Sequence, residues 1–281
     1  MTTASLLKYH ALGNDFLVAL DAVALTNGAG GEIPDELVRW LCDRHRGIGA
    51  DGLVVARPAS GGAAAAMELR NADGGRAETS GNGLRCFALA LVDSGAVAST
   101  TLQIETDGGP VRAVVGARPA RGCAEIAVSM GTLHVSLPER PAPVLGDGFE
   151  AREVDAGNPH LVLMGPSLAT VDIKAIGPVL EQCVPGGRNV EAVSPDGHGG
   201  LDLVVWERGA GLTEACGSGS CAAAAAARAS GLVGDRVQVR NPGGILTVEL
   251  SGPLDEPDVT LSGPACRVAR VVIEVPGGAA T

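Results

Sequence analysis

Short apolar runs rich in β-branched residues recur from one end of the chain to the other and predict strands. Turn residues (Gly, Pro, Asp and Asn) separate most of these runs. The predicted strands are Phe16–Leu20, Leu53–Ala56, Thr101–Glu105, Arg112–Val115, His160–Met164, Leu201–Trp206, Val237–Arg240, Leu246–Leu250 and Val268–Val275. Because helical signals are rarer than these runs, the pattern favours an α+β chain over a succession of βαβ units.

Three segments carry helical signals. The first opens at Pro34, a residue suited to the first position of a helix, places four apolar residues on one face, and ends before Gly47. The other two helices are predicted to begin near Gly81 and Gly217, where a Gly-x-Gly pair precedes a small or apolar run.

The chain contains an internal repeat. Asn71–Cys86 aligns without gaps with Glu207–Ala222 at a constant spacing of 136 residues, and the same spacing matches a Ser-Gly pair where each predicted helix ends. Upstream, Ala11–Val18 is similar to Asp155–Val162 at a spacing of 144 residues. Such self-similarity indicates duplication of a half-chain.

The duplication predicts two domains, consistent with a length of 281 residues. We expect an N-terminal half over residues 1–128 and a C-terminal half over residues 129–266, with the boundary near residues 120–135. The final strand, at 267–276, could pack back onto the first half.

Charge and composition narrow the possible partners. The chain has 21 Lys plus Arg against 32 Asp plus Glu, a formal net charge of −11, and only 2% aromatic residues. We therefore do not expect the chain to bind nucleic acid, which needs an extended phosphate-binding surface or aromatic side chains that stack on bases. Small anionic or zwitterionic ligands remain, because backbone amides and a few arginines can meet them locally.

No targeting or membrane segment is predicted. The N-terminal segment lacks a basic stretch followed by an apolar run, and the most apolar stretch, Cys216–Val233, is short, Ala-rich and interrupted by Arg228. We therefore expect a cytoplasmic protein. The seven cysteines show no CxxC spacing, so we expect reduced thiols and no zinc site. These cysteines are residues 42, 86, 123, 183, 216, 221 and 266; Cys86 and Cys221 are expected to face inward as structural residues.

The two predicted helix starts carry candidate chemistry. Ser80 and Cys216 precede the helices, so the first-turn amides of Gly81, Asn82, Gly217 and Ser218 would be available to bind a carboxylate. If the two halves face each other, the carbon beside that carboxylate would lie between Ser80 and Cys216. This arrangement suits proton removal from one face and delivery to the other. We further expect the helix dipole to lower the pKa of Cys216.

The motifs in this order and spacing resemble the diaminopimelate epimerase family, and the resemblance covers nearly the whole chain. The matching segments are Leu12–Phe16, Gly47–Gly52, Asn71–Gly74, Ser80–Cys86, Gly157–His160, Asn189–Glu191, Glu207–Gly211, Ala215–Gly219 and Ser262–Ala265. The resemblance implies two pseudo-symmetric domains, each a mostly antiparallel sheet wrapped round a central helix. It also implies a homodimer and catalysis without pyridoxal phosphate or any other cofactor.

The resemblance further implies a set of substrate-binding residues. The positions that match are Asn14, Asn71, Asn158, Asn189, Glu207 and Arg208, together with the helix amides of Gly81, Asn82, Gly217 and Ser218. An arginine can bind a distal carboxylate in a two-pronged pair, and asparagines supply donors and acceptors for a zwitterion. Cys216 would be one acid/base. His160 is open to two interpretations, a structural hydrogen-bonding residue or a participant in the chemistry.

The chain departs from the family at Ser80. The family motif has a cysteine there, and that cysteine is one of two catalytic bases, whereas a serine hydroxyl needs an activating neighbour before it can accept a proton. Three interpretations follow: a diaminopimelate epimerase with Ser80 as an altered second base, an epimerase or dehydratase of another amino acid with Cys216 as its only thiol base, or a non-catalytic amino-acid-binding protein. Ser80 is also a good helix N-cap and could serve only as that.

Overall fold

The computed structural model describes residues 2–26, 31–77, 80–138 and 148–275. Its contacts divide the chain into two compact units, Met1–Val128 with Pro264–Thr281, and Ser129–Gly263. The chain therefore leaves the first unit once and returns to it once. Among the described residues no helix is long and apolar enough to cross a membrane.

The first unit is a sheet of mostly antiparallel strands with one long helix. Parallel pairing occurs at β2–β3 and β4–β6, and the other neighbouring strands run antiparallel. Its elements are β1 (Thr2–Ala11), β2 (Asn14–Ala19), α1 (Ala22–Leu25), α2 (Asp35–Cys42), β3 (Gly52–Arg57), β4 (Ala65–Asn71), β5 (Arg76–Ala77), α3 (Gly81–Asp93), β6 (Thr101–Thr106), β7 (Gly109–Val115) and β8 (Cys123–Thr132), which continues into the second unit.

Helix α3 is the centre of this unit. Every residue from Gly81 to Leu91 is buried, and the helix packs against β1, β2, β4 and β7. A helix that is buried on all sides needs apolar or small residues around its whole circumference, which explains its weak amphipathic pattern. The N-terminus of α3 lies next to the start of β2, where Asn82 donates a hydrogen bond to Asn14.

The second unit repeats this plan. Parallel pairs occur at β11–β12 and β13–β15, the counterparts of the two parallel pairs in the first unit. Its elements are β9 (His134–Ser136), β10 (Glu150–Asp155), β11 (Pro159–Met164), a 3-10 turn (Leu168–Thr170), α4 (Ile173–Glu181), β12 (Asn189–Pro195), β13 (Leu201–Glu207), β14 (Gly211–Leu212), α5 (Gly217–Ala229), β15 (Arg236–Asn241), β16 (Gly244–Ser251) and β17 (Asp258–Val275), which returns to the first unit.

Helix α5 is central to the second unit as α3 is to the first. Both helices have 13 residues, and α5 packs against strands β9 to β13 and against β15 and β16. Residues 219–227 are buried throughout. The expected α+β fold, with a mostly antiparallel sheet around a central helix in each half, is confirmed.

The predicted strands each overlap an observed strand, and the helices at Gly81 and Gly217 begin where expected. The helix predicted at Pro34 begins one residue later, because Pro34 has an extended backbone and forms the N-cap. Helix α4 was missed because Gly177 and Pro178 interrupt its pattern. Gly177 is needed there, since a Cβ at this position would lie 2.5 Å from Cγ of Trp206.

One cysteine expectation is wrong. Cys123 and Cys266, expected as reduced thiols, form a disulfide between β8 and β17. The two residues are 143 positions apart in sequence, so no local spacing indicates the pair, and the pairing of β8 with β17 brings them together. Cys42, Cys86, Cys183, Cys216 and Cys221 are reduced thiols as expected, and the inward orientation expected for Cys86 and Cys221 is confirmed.

Candidate active site

Cys216 caps the N-terminus of α5 and is almost fully buried. Its backbone is extended, and its Sγ accepts a hydrogen bond from the amide of Gly219 at 3.3 Å. The Oγ of Ser218 lies 3.5 Å from the same sulfur. Cys216 therefore stands at the helix end, where first-turn amides lack intrahelical acceptors and can bind an anion.

Glu207, at the end of β13, is the acidic neighbour of Cys216. The hydroxyl of Thr213 donates to Glu207 Oε1, and the Cys216 thiol also hydrogen-bonds this carboxylate. Burial raises the pKa of Glu207, the hydrogen bonds from Thr213 and Cys216 oppose that rise, and the charge of Glu191 adds to it. The carboxylate is thus positioned to exchange a proton with the thiol.

The expectation that the helix end lowers the pKa of Cys216 is wrong. Burial raises this pKa well above its ordinary value, and the carboxylates of Glu207 and Glu191 raise it further. Hydrogen bonds with Ser218 and Gly219 act in the opposite direction and are outweighed. Without substrate, Cys216 is therefore a protonated thiol, ready to donate a proton rather than to accept one.

A buried histidine and a buried glutamate lie close to this thiol. Nδ1 of His160 is 2.7 Å from Oε1 of Glu191, and Nε2 is 3.1 Å from Oδ1 of Asn158. Both of these side chains, His160 and Glu191, are fully inaccessible to solvent. From the sequence alone, His160 has no indicated partner and Glu191 has no indicated role. A glutamate inside the apolar strand β12 is nevertheless unusual and indicates a buried polar contact.

The turn after β13 carries Arg208, which is exposed. Its backbone amide donates to Oδ1 of Asn189 at 2.9 Å, and one guanidinium nitrogen donates to the carbonyl of Gly186 at 3.2 Å. Asn189 is buried and also donates to the carbonyl of Pro159. Asn189 therefore fixes the start of this turn and with it the position of Arg208.

In the first unit Ser80 caps α3 as Cys216 caps α5. Its Oγ accepts from the amide of Gly83 at 3.1 Å, with an extended backbone at the cap. A Cβ on Gly83 would lie 3.3 Å from Cβ of Ser80, so the second glycine of the Gly-x-Gly pair lets the cap pack closely. The hydroxyl occupies the position equivalent to the thiol in the repeat.

A directed chain of hydrogen bonds leads away from this helix end. Arg85, fully buried, donates to Oδ1 of Asn82 at 2.7 Å, and Asn82 donates to Oδ1 of Asn14 at 3.0 Å. Asn14 in turn donates to Asp51 at 2.8 Å. Because a guanidinium only donates and a carboxylate only accepts, both asparagine amides have one orientation.

An ion-pair cluster anchors the end of this chain. Arg44 pairs with both Asp51 and Asp15, and Lys8 pairs with Asp15 at 2.8 Å. Burial acts to raise the pKa of Asp15, but hydrogen bonds from Arg44 and Lys8 outweigh it and hold the value at about 2. Asn71, the remaining predicted binding residue of this unit, is exposed at the end of β4.

The structure therefore brings the predicted residues together within each unit. The first unit groups Asn14, Gly81 and Asn82 around Ser80, and the second groups Glu207, Gly217 and Ser218 around Cys216. The sequence did not indicate the supporting residues Arg85, Asp51, Thr213 and Glu191. Among the residues with described positions, no group of three or more His, Cys, Asp or Glu side chains is arranged to hold a metal ion.

Comparison with solved structures defines the fold class first. The fold matches a PhzF-family phenazine biosynthesis protein from Bacillus anthracis with a TM-score of 0.76 at 15% identity, covering 98% of this chain and 100% of the other. It also matches a hydroxyproline epimerase from Agrobacterium vitis, solved with trans-4-hydroxy-L-proline, with a TM-score of 0.73 at 20% identity, covering 99% and 93%. The chain thus shares the fold of these epimerases and PhzF-like proteins.

Sequence comparison identifies the family. Residues 6–135 and 153–268 match the diaminopimelate epimerase family. The diaminopimelate epimerase of Desulforudis audaxviator is 39% identical over 278 residues, which is 93% of this chain and 96% of the relative. That of Desulfitobacterium hafniense is 38% identical over 286 residues, with coverage of 95% and 97%. This chain belongs to the diaminopimelate epimerase family and is an isomerase.

Proposed function

We propose that this protein interconverts LL- and meso-2,6-diaminopimelate, in the route to lysine and peptidoglycan precursors, by moving the α-proton. The observation that carries the proposal is the buried Cys216 thiol at the N-terminus of α5, hydrogen-bonded to Glu207. This pair supplies an acid/base next to an anion-binding helix end. The similarity to named diaminopimelate epimerases over nearly the whole chain supports the substrate.

The proposed chemistry begins at the helix amides. The first-turn N–H groups of Gly217 and Ser218, beside Cys216, bind the α-carboxylate of the substrate and stabilise the charge that it gains when the α-proton leaves. The N–H groups of Gly81 and Asn82 are the equivalent donors beside Ser80. In one direction the Cys216 thiol donates its proton to the α-carbon. In the other direction Glu207 accepts the thiol proton, and the resulting thiolate removes the α-proton.

Ser80 is proposed as the second acid/base. Its hydroxyl is bound to the amide of Gly83, so it can relay a proton only as a weak base or through a water molecule. The expected consequence is an epimerase whose second proton transfer is slow. The dehydratase or epimerase acting on another amino acid is the second candidate, and this hydroxyl is the observation that favours it.

Substrate recognition is proposed to use the charged and amide side chains around the two helix ends. Arg208 is exposed and would pair with the distal carboxylate, while Asn14, Asn71, Asn158 and Asn189 supply hydrogen bonds. Arg208→Ala should weaken diaminopimelate binding by ~2 kcal/mol, because it removes a charge-assisted pair. Titration calorimetry measures this, with Arg76→Ala as the control for loss of an exposed arginine elsewhere. Equal affinities for Arg208→Ala and the unaltered protein would place the distal contact on another residue.

The proposal is tested by incubating the protein with LL-diaminopimelate in D₂O and following deuterium incorporation and stereochemistry together. Deuterated meso product supports the two-base epimerase. Deuterium in recovered LL substrate without inversion supports an enzyme with Cys216 as its only functional base. Tight binding without exchange, unchanged by Cys216→Ala, supports a non-catalytic binding protein, and loss of water from a 3-hydroxy amino acid supports the dehydratase.

We further infer catalysis without pyridoxal phosphate, since a Schiff base requires a lysine. The sequence has two lysines, Lys8 and Lys174. Lys8 is bound to Asp15 and to the carbonyl of Gly49, and Lys174 is exposed on α4. Full activity after treatment with a carbonyl reagent such as hydroxylamine is the expected result.

A homodimer and a cytoplasmic location complete the proposal. Val268 and Val272 on β17 are exposed by 58% and 66%, which supports an apolar contact with a second copy. Sedimentation velocity should give twice the monomer mass of 28.1 kDa. Fractionation of expressing cells should place the protein with cytoplasmic markers.

A further inference from the structure

Because the two units are repeats, the first unit shows which residues occupy the positions equivalent to the buried His160–Glu191 pair. At the 144-residue spacing, His160 of β11 corresponds to Phe16 of β2, and Val162 corresponds to Val18. Each of these strands runs parallel to the next strand of its own unit. Equivalent positions can therefore be compared strand by strand.

The strand registers extend the comparison to Glu191. In the first unit Val18 of β2 lies opposite Val54 of β3, and in the second unit Val162 of β11 lies opposite Glu191 of β12. Glu191 is therefore the counterpart of Val54. Where the second unit has a histidine and a glutamate, the first unit has a phenylalanine and a valine.

The residues packed beneath the two central helices differ in the same way, polar in the second unit and apolar in the first. In the first unit Cζ of Phe16 lies 3.7 Å from where a Cβ on Gly83 would be. In the second unit Oε1 of Glu191 lies 2.8 Å from where a Cβ on Gly219 would be. A carboxylate thus lies under the helix start that carries Cys216, where an aromatic ring lies under the helix start that carries Ser80.

The fold does not require the polar pair. Phe16 and Val54 are buried in the same type of position as His160 and Glu191, and all four are at most 5% exposed. A buried ion pair is often no more stabilising than apolar residues of similar volume. Moreover, Oε2 of Glu191 has no hydrogen-bond partner among the described residues, an unfavourable arrangement for a purely structural group.

We propose that Glu191 is a positioning residue, which holds the ring of His160 against Asn158 and thereby fixes the amide of Asn158. The carboxylate of Glu191 lies 2.7 Å from Nδ1 of the ring and can accept its N–H, and Nε2 of the same ring lies 3.1 Å from Oδ1 of Asn158. The amide group of Asn158 consequently presents its two N–H donors to the substrate. This inference rests on the proposed epimerase function, in which Asn158 binds the substrate.

Replacing Glu191 by glutamine removes the carboxylate and keeps the shape of the side chain. The ring of His160 then loses its carboxylate acceptor, the amide of Asn158 can rotate, and its two donors are no longer fixed.

The first test needs no substrate. Two-bond ¹H–¹⁵N spectra of the ligand-free protein at neutral pH report which ring nitrogens of His160 carry a proton. We expect Nδ1, which faces the carboxylate, to carry a proton in the unaltered protein, and we expect a different ring spectrum in Glu191→Gln. An unprotonated Nδ1 in the unaltered protein, or the same spectrum in both proteins, overturns the proposal. Glu68→Gln, which removes another buried carboxylate, is the control and should leave the His160 signals unchanged.

The second test separates positioning from stability. The double variant His160→Phe, Glu191→Val installs the pair of the first unit, so it should fold with an unchanged or higher Tm. Its kcat/KM for α-proton exchange should fall at least as far as that of Glu191→Gln, for which we expect a ~10- to 100-fold loss. Exchange at the unaltered rate in a folded double variant overturns the proposal. Absence of exchange in the unaltered protein contradicts the proposed function instead, and leaves the spectroscopic test of Glu191 decisive.

Discussion

Ser80→Cys is the change that most directly tests the proposed chemistry, because it restores a thiol at the start of α3. Cys216 in the second unit shows how a cysteine caps such a helix. Ser80 has φ −140° and ψ 117° and accepts from Gly83 at 3.1 Å, whereas Cys216 has φ −115° and ψ 119° and accepts from Gly219 at 3.3 Å. A cysteine at position 80 can therefore adopt the same cap without moving the backbone.

The effect of Ser80→Cys on stability should be much smaller than its effect on activity. Loss of a serine N-cap typically costs ~1 kcal/mol, and the sulfur keeps a weaker version of the same hydrogen bond, so the unfolding free energy should fall by no more than this. A well-placed acid/base contributes ~10²- to 10⁴-fold, which corresponds to ~3 to 5 kcal/mol of activation free energy. Activity should therefore rise steeply in a protein of nearly unchanged stability.

The assay follows deuterium incorporation and inversion of LL-diaminopimelate in D₂O, alongside thermal unfolding. Ser80→Ala is the matched control, since it removes both the cap oxygen and any proton acceptor. A rate for Ser80→Cys within a few-fold of the unaltered protein, with the cap intact, would refute the reasoning that the thiol is what the first unit lacks. A rise shared by Ser80→Ala would show that the hydroxyl obstructs the site instead.

Three further outcomes are expected. Asp15→Asn should lower the unfolding free energy by about 2 kcal/mol at pH 7, because the folded pKa of about 2 lies below the ordinary 3.8; this stabilisation is lost as the pH falls from about 4 to about 2. Glu207→Gln should accelerate iodoacetamide labelling of Cys216, because losing a neighbouring negative charge lowers the thiol pKa. Cys123→Ser should lower the Tm, since opening a loop closed at Cys266 costs up to ~5 kcal/mol by chain entropy.

Each of these outcomes has a measurement that could contradict it. Chemical denaturation at pH 7 and pH 3 should show the Asp15 variant converging on the unaltered protein at the lower pH, and a constant difference would contradict the linkage. Mass spectrometry of the labelled protein should show faster modification at residue 216, and an unchanged rate would mean that burial alone controls the thiol. Calorimetry should give equal Tm values for Cys123→Ser and Cys266→Ser, and no change in either would contradict the loop argument.

The sequence predicts the two central helices well because each is marked by residues with a local physical role. Ser80 and Cys216 are caps, the Gly-x-Gly pairs allow close packing, and a Ser-Gly pair ends each helix, so the repeat alone locates both. Strands such as β12 are missed because a charged residue, Glu191, interrupts an apolar run. Its burial is explained only by a partner 31 positions away in sequence, His160.

Long-range effects account for the other failures. The pKa of Cys216 depends on burial and on two carboxylates from other strands, whereas the helix end is the only influence visible in the local sequence. The hydrogen bond between Arg85 and Asn82 is local, because it spans one helical turn. The hydrogen bonds that continue to Asn14 and Asp51 depend on how β2 and β3 pack against the helix. Pairings of this kind require the fold before they can be assigned.

The disulfide has a topological consequence. Because Cys123 precedes the passage of the chain into the second unit and Cys266 follows its return, the bond closes a covalent ring that contains all of Ser129–Gly263. A single peptide-bond cleavage anywhere within that ring leaves the protein as one covalent molecule, and only reduction separates the pieces. A chain nicked within Ser129–Gly263 should therefore migrate as full length without reductant and as two fragments with it.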